Sequence, residues 1–397
     1  MLLNDAQRAA VCRILAGELG QAVQLEDVQP ASAAGHRGVS RVTVGGAPST
    51  WIVKTSRQQS GFDLADPTHA QPWGFFSELV GAAFVSSLEG EPPLSPRCVG
   101  AAPGVGVIVL EDLGSGHDLA DLLLGSDREA AEQGMQDFGR ALGRLHARAA
   151  GREAEYGQLW RTVVPDPARP PLAAWQLPAG VQALREVTAQ LGMATGVSVE
   201  ADLRTLAATL DESVLRTYVH GDPCPDNVRP GGGGRLLDFQ GGGFGSALLD
   251  GVYARMPFPT CWCTGRLPDE VVARFEAAYR QQLVDGLPAA RDAATFDRAE
   301  AAACAYWFLV HVKWRLRRAL DQSSERPEVY RSFVLPPDRE HVLLRAEAFV
   351  ATARRLGHLE ALANLAAALV TVLRQRWQDV LRDVPLYPAF QETAPSS

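Results

Sequence analysis

Lysine is almost missing from this chain: of 38 basic residues only Lys54 and Lys313 are lysines, the others being arginine. Asparagine is as scarce, with Asn4, Asn227 and Asn364 alone, so a Lys or Asn at a chemically demanding position carries information. Positive charge is also short. The 38 Lys plus Arg face 46 Asp plus Glu, a formal net charge of −8, which removes the polyanion attraction on which most nucleic-acid and anionic-membrane binders rely. Neither kind of partner is expected. Long apolar runs are lacking too. The most apolar stretches, 301–312 and 365–373, are far shorter than the roughly 20 residues of a spanning helix, so no membrane segment is expected. The opening MLLNDAQRAAVCRI has no basic-then-apolar signal layout. The six scattered cysteines, Cys12, Cys98, Cys224, Cys261, Cys263 and Cys304, accordingly read as reduced thiols of a cytoplasmic protein.

Several nucleotide and hydrolase signatures are missing as well. A Walker loop needs Gly directly before its Lys, because backbone amides and ammonium cradle the phosphates together; both lysines here follow valine. There is no GxGxxG, HExxH or GxSxG. Cys261 and Cys263 have the wrong spacing for a paired-thiolate zinc knuckle.

With 397 residues, two lobes are expected rather than one core. From Ala22 to about Leu110 the texture alternates in strand fashion, through VQLEDVQPA, GVSRVTV, TWIVKT and VGVIVL. An amphipathic helix carrying Phe76, Leu79, Val80, Ala83 and Phe84 interrupts the strands. The acidic, glycine-rich EDLGSGHD marks the boundary, giving an N-terminal lobe of 1–113 and a C-terminal lobe of 114–397. The second lobe reads as helical: the stripe of Met135, Phe138, Leu142 and Leu145, then helices near 269–287, 297–320 and 341–381 with a break at Gly357. Within it TYVHGDPCPDNVRPGGGGRLLDF reads as two strands joined through a four-glycine turn, and 385–397 reads as a flexible tail.

The informative feature is that segment. His220, Asp222 and Asn227 are followed by Asp238 after an apolar stretch, and the first three at this spacing would arise by chance roughly 0.004 times in a chain of this composition. An acid and an amide five residues apart, with a second acid on the returning segment, offer oxygen ligands of the kind Mg²⁺ takes. Phosphoryl transfer needs mainly positioning and neutralisation of phosphate charge, so a base, Mg²⁺ ligands and one fixed cation suffice. Lys54, in the strand WIVK, supplies the cation, and Glu78 on the following helix is a suitable partner for it.

In these residues the chain resembles the aminoglycoside phosphotransferase and choline kinase family, small-molecule kinases built on the protein-kinase fold. The resemblance runs from about Gly35 to Asp250 and rests on His220-Gly221-Asp222, Asn227, Asp238-Phe239, Lys54, Glu78 and Leu110-Glu111-Asp112-Leu113-Gly114. It implies an α+β, protein-kinase-like two-lobe fold, with an antiparallel sheet plus helix in the N-lobe and a mainly helical C-lobe. It implies ATP and Mg²⁺ as cofactors. Asp222 would be the base, with His220 beside it in the catalytic loop, and Asn227 with Asp238 would hold Mg²⁺. Lys54 and Glu78 would serve the phosphates, backbone at Glu111 and Leu113 the adenine, and Gly35 and Gly38 in GHRGVSR would cover the phosphates. Asp250 resembles a position that braces the catalytic loop, and His146 reads as a satisfied core histidine. Where relatives often have HGDLHPGN, this chain has Pro223, Cys224 and Asp226. Gly221 and Phe239-Gln240 stand where a protein kinase would carry Arg and Gly, so a small-molecule hydroxyl, not a protein, is the expected acceptor.

Two other readings remain at the level of sequence. One is a non-catalytic nucleotide-binding or scaffold protein on the same fold. The other is a zinc–thiolate module of Cys224, Cys261 and Cys263. Neither the acceptor's identity, ATP-versus-GTP preference nor oligomeric state is legible.

Overall fold

The computed structural model describes residues 3–31, 38–46, 49–56, 70–164, 172–321, 329–330, 333–334 and 336–391. It is an α+β protein whose chain divides into two compact units. The first comprises Met1–Gly116, Arg152–Ala168 and Arg235–Gly242; the second comprises His117–Gly151, Arg169–Gly234 and Gly243–Ser397.

The first unit is a five-stranded antiparallel sheet with helices. Helix α1 (Asp5–Leu19) begins at a capping box, in which the Asn4 side chain accepts from the Gln7 amide and Gln7 returns the bond. Strands β1 (Leu25–Pro30), β2 (Val39–Val44), β3 (Thr50–Thr55), β4 (Cys98–Ala102) and β5 (Val107–Glu111) lie in the order β1-β2-β3-β5-β4. Helix α2 (Ala70–Ser86) connects β3 to β4. Sequence periodicity predicts every one of these except α1 and β4. Val11 and Leu15 of α1 join Val42, Val44, Trp51, Val53, Val107 and Val109 in one core cluster. Because side chains alternate across a strand, putting Trp51 and Val53 in that core sends Lys54 to the other face. Lys54 pairs in register with Val39 and Ile108, in the middle of the sheet.

Most of the second unit is helical. Its strand Arg216–Val219 takes Gly243–Ser246 as antiparallel partner, and the four-glycine turn is flanked by the short strands Val228–Arg229 and Arg235–Leu236, as the sequence predicts. The partner is recruited beyond Asp238, and Tyr218 and Phe244 meet edge to face, 6.0 Å apart. The helix predicted over 297–320 is Ala293–His311, a π-helical turn Val312–Leu316 and a short helix Arg317–Asp321. The expected break at Gly357 is the left-handed end of the helix Asp338–Leu356. The flexible tail predicted from 385 is corrected through residue 391. Tyr387 is completely buried, its hydroxyl donates to the Cys263 carbonyl at 2.5 Å, and its amide pairs with the Arg266 carbonyl at 3.0 Å. A large aromatic ring in that core outweighs the polar, proline-rich composition around it; 392–397 lie outside the described residues. Among the described residues no helix is long and apolar enough to cross a membrane.

Within this unit the helices Arg128–Ala149 and Asp269–Gly286 pack closely through the glycines of the first. A Cβ at Gly143 would stand 2.4 Å from the Tyr279 carbonyl oxygen and 2.7 Å from Gln282 Cβ. Gly143→Ala gains about 1 kcal/mol of helix propensity, but a clash with helix backbone costs more. The variant is expected to be destabilised by about 2 kcal/mol net, read as a lower urea midpoint; an unchanged or raised midpoint would contradict this packing.

Candidate active site

Three of the sequence-predicted residues meet in the first unit. Lys54 Nζ forms an ion pair with Glu78 Oε1 and lies 3.4 Å from Asp238 Oδ1. The sheet face fixes Lys54, helix α2 brings a carboxylate that is only 5% exposed, and Asp238 arrives just beyond the short strand Arg235–Leu236 at φ 64°. That left-handed conformation is uncommon for a residue with a side chain. Burial alone would lower the Lys54 pKa, but Asp238 and Glu78 overcome it and hold the ammonium above its ordinary value. Burial, assisted by the Asp238 charge, drives the Glu78 carboxyl up to about 7 in spite of Lys54. The ammonium is thus fixed in position, and its charged form is favoured.

The acidic turn after β5 is braced from within the same unit. Asp112 receives a two-pronged bond from Arg41, Nε to Oδ2 at 2.5 Å and Nη2 to Oδ1 at 3.1 Å, together with the Thr50 hydroxyl at 2.6 Å and the Gly114 amide at 2.9 Å. Burial would raise the Asp112 pKa, yet these donors hold it below the usual carboxylate value. The Glu111 amide is already spent on the Arg97 carbonyl at 2.9 Å. Any adenine contact at Glu111 therefore has only its carbonyl to use, a restriction the sequence does not reveal. Gly38 adopts φ 96° and its carbonyl accepts from the Thr55 amide at 2.7 Å; Gly35 lies outside the described residues.

The second unit holds His220, Asp222 and Asn227. Asp250 is fully buried, and its carboxylate accepts from the His220 amide at 2.6 Å and the Gly221 amide at 3.0 Å. His146 Nε2 lies 3.2 Å from the same carboxylate, and its Nδ1 is 2.9 Å from the Tyr279 hydroxyl. His146 is the core histidine expected, and Asp250 braces the loop as the resemblance implies. Gly221 sits at φ 77°, a turn open to glycine at no steric cost. Beyond it the Asp222 carboxylate accepts from Thr260, and the Asn227 amide donates to the Asp222 main-chain carbonyl at 3.0 Å. Grouping His220 with Asp222 as a catalytic side chain needs correction: the His220 ring is completely buried, so its contribution is to the loop's backbone.

Thr260 is the residue that sequence reading missed. It stands 38 positions after Asp222 in a segment without periodicity, and only the neighbouring Cys261 offered a signal. Cys224 and Cys261 form a disulfide, with Cα atoms 5.4 Å apart, which corrects the expectation of six reduced thiols. Two loops unrelated in sequence carry the pair together. The zinc–thiolate reading falls with it: Cys263 is fully buried, burial pushes its thiol pKa up, and no group of three or more His, Cys, Asp or Glu among the described residues is placed to hold a metal.

Each unit carries an oxygen donor of the kind Mg²⁺ takes. In the first, Asp238 supplies a carboxylate whose side chain is 35% exposed. In the second, Asn227 supplies an amide whose NH₂ donates to the Asp222 main-chain carbonyl.

Lys54→Ala would leave the Glu78 and Asp238 carboxylates without their cation. The expected cost is about 3 kcal/mol of stability. The deficit should be greater above about pH 8 than below about pH 6, because a carboxyl with a raised pKa becomes charged, uncompensated, as the pH rises through that pKa. Urea midpoints at the two pH values check this; a deficit independent of pH would contradict the buried pairing.

Comparison with curated proteins gives no match. Among solved structures, a choline/ethanolamine kinase family protein from Mesorhizobium loti is 14% identical, with 91% of this chain and 99% of that chain covered and a TM-score of 0.46. The gentamicin complex of the phosphotransferase APH(2")-IIa is 13% identical over 91% and 99% of the two chains, TM-score 0.43. A microcompartment-associated aminopropanol kinase is 17% identical over 86% and 94%, TM-score 0.43. The family described as "Phosphotransferase enzyme family" matches residues 96–302, more than half of the sequence and the stretch that contains His220, Asp222, Asn227, Asp238 and Asp250. By that match the chain belongs to the phosphotransferase enzyme family, the aminoglycoside phosphotransferase and choline kinase group that its motifs resemble.

Proposed function

We propose that this protein is an ATP-dependent, Mg²⁺-requiring kinase that transfers the γ-phosphoryl group to a hydroxyl of a small molecule such as an aminoglycoside, an amino alcohol or a sugar. The observation that carries the reading is the clasp of Lys54 by Glu78 and Asp238. A chain that all but avoids lysine keeps one on a sheet face, held by two carboxylates, one of them at a strained backbone position. A core seldom retains an ion pair of this kind for stability alone, since desolvation of the charges offsets most of the attraction.

In this reading Lys54 binds phosphate oxygens and Glu78 keeps the ammonium oriented. Asp238 and Asn227 hold Mg²⁺, which when bound neutralises charge on the phosphates. Asp222 accepts the proton of the acceptor hydroxyl as that oxygen attacks phosphorus. The loop's backbone, tied by Asp250, fixes where that carboxylate stands, and Asp112 with Arg41 keeps the turn after β5 in one conformation for the adenine. Protein acceptors are disfavoured by Gly221 and Gln240, as the sequence implies. The match over residues 96–302 supports the phosphotransferase class; the acceptor is part of the proposal.

A screen of ADP release over amines, sugars and antibiotics bearing hydroxyl groups tests the assignment. The wild type is expected to respond to at least one class, and Asp222→Asn to lose about 10²- to 10⁴-fold in rate while still binding MgATP. Full activity in Asp222→Asn would overturn the base assignment, and MgATP binding with no transfer to any acceptor would overturn the kinase reading.

A further inference from the structure

The loop 257–264 takes no part in the chemistry proposed above, yet it is pinned from several sides. Arg345, completely buried, directs Nη2 at the Pro257 carbonyl at 2.7 Å, the Phe258 carbonyl at 2.8 Å and Thr264 Oγ1 at 3.0 Å. His311 Nε2 meets the Pro259 carbonyl at 2.7 Å. Burial, with Arg345 and Arg315 near it, keeps that imidazole's pKa well below its ordinary value, so Nε2 carries the proton of a neutral ring. Phe258 is held at φ 46°, a conformation costly for an aromatic residue, and the Trp262 indole donates to Asp226 Oδ2 at 2.7 Å. A buried guanidinium and a strained phenylalanine are expensive, and the polar group they deliver is the Thr260 hydroxyl.

That hydroxyl donates to Asp222 Oδ1. The Tyr253 hydroxyl lies 3.1 Å from both Thr260 Oγ1 and the Gly221 carbonyl, so it joins the loop to the turn preceding Asp222. Cys224 Sγ is also 3.1 Å from Asp222 Oδ1, but a sulfur in the bridge to Cys261 bears no proton. Between those two neighbours, Thr260 is the donor to that oxygen, and the bridge joins the residue after Thr260 to the catalytic loop.

We propose that Thr260 is a positioning residue for Asp222: its hydroxyl holds one carboxylate oxygen so that the base presents a single orientation to the acceptor, and loop 257–264 is built to keep it there. The proposal rests on the reading of Asp222 as base. A carboxylate free to rotate spends much of its time misaligned, and misplacement on the scale of 1 Å costs up to about 10²-fold in rate.

Steady-state kinetics with MgATP and the acceptor giving the largest ADP release test it, on Thr260→Val, Thr260→Ser and Asp222→Asn side by side. Thr260→Val, close to isosteric, is expected to lower kcat about 10- to 100-fold with KM for MgATP unchanged and the thermal midpoint near that of the wild type. Thr260→Ser, which keeps the hydroxyl, should restore most of the rate. Should Thr260→Val fold poorly, Thr260→Ala makes the same comparison with no added bulk. Wild-type kcat in the variants lacking the hydroxyl, or a Ser variant no better than Val, overturns the proposal while a silent Asp222→Asn leaves the base assignment standing. A fully active Asp222→Asn overturns both.

Discussion

A single buried carboxylate organises the second unit. Asp250 takes the amides of His220 and Gly221 on its two oxygens and has His146 beside it. Through His146 and the Tyr279 hydroxyl it is tied to the long helices Arg128–Ala149 and Asp269–Gly286. An unpaired carboxylate in that interior would cost several kcal/mol. The loop must therefore adopt the one backbone path that offers it two N–H groups, and that path needs glycine at 221. The shape of the loop from His220 to Asn227 follows from satisfying a charge set deep behind it.

The first unit solves a complementary problem. There a cation, not an anion, is fixed, and the sheet's alternation does the placing: the side chains that fill the core at Trp51 and Val53 oblige Lys54 to face away from it. Two carboxylates then share one ammonium. Burial, with the Asp238 charge assisting, holds the Glu78 carboxyl above its ordinary value in spite of that shared cation.

How far these features could be read beforehand depends on their range along the chain. The strand alternation of TWIVKT, the rarity of lysine and the His-Gly-Asp spacing are local, and they place Lys54, Asp222, Asn227 and Asp238 as candidates before any coordinates. The capping box at Asn4 and Gln7 was legible in principle and marks a helix that period counting alone passes over. The partner of the strand Arg216–Val219 was not, because a short apolar run carries no label for which neighbour it will take. Nor was the meeting of Thr260 and Asp222, which depends on a guanidinium at 345 reaching carbonyls at 257 and 258. Tyr387 belongs to the same class: with Phe390 it lies in a short proline-punctuated stretch that gives no period, and its hydroxyl is fixed by a carbonyl far back in the chain, at Cys263.

The first unit is assembled from three separate stretches of chain, the last of which, Arg235–Gly242, contributes Asp238. It follows that neither unit is a transferable cassette. A gene cut after the glycine-rich turn at 114 would separate the sheet from the helix Glu153–Val163 and from one of the two acids that clasp its lysine. Recombination could not exchange the first unit between relatives as a whole block, so diversification in such an architecture must proceed by substitution within an intact thread.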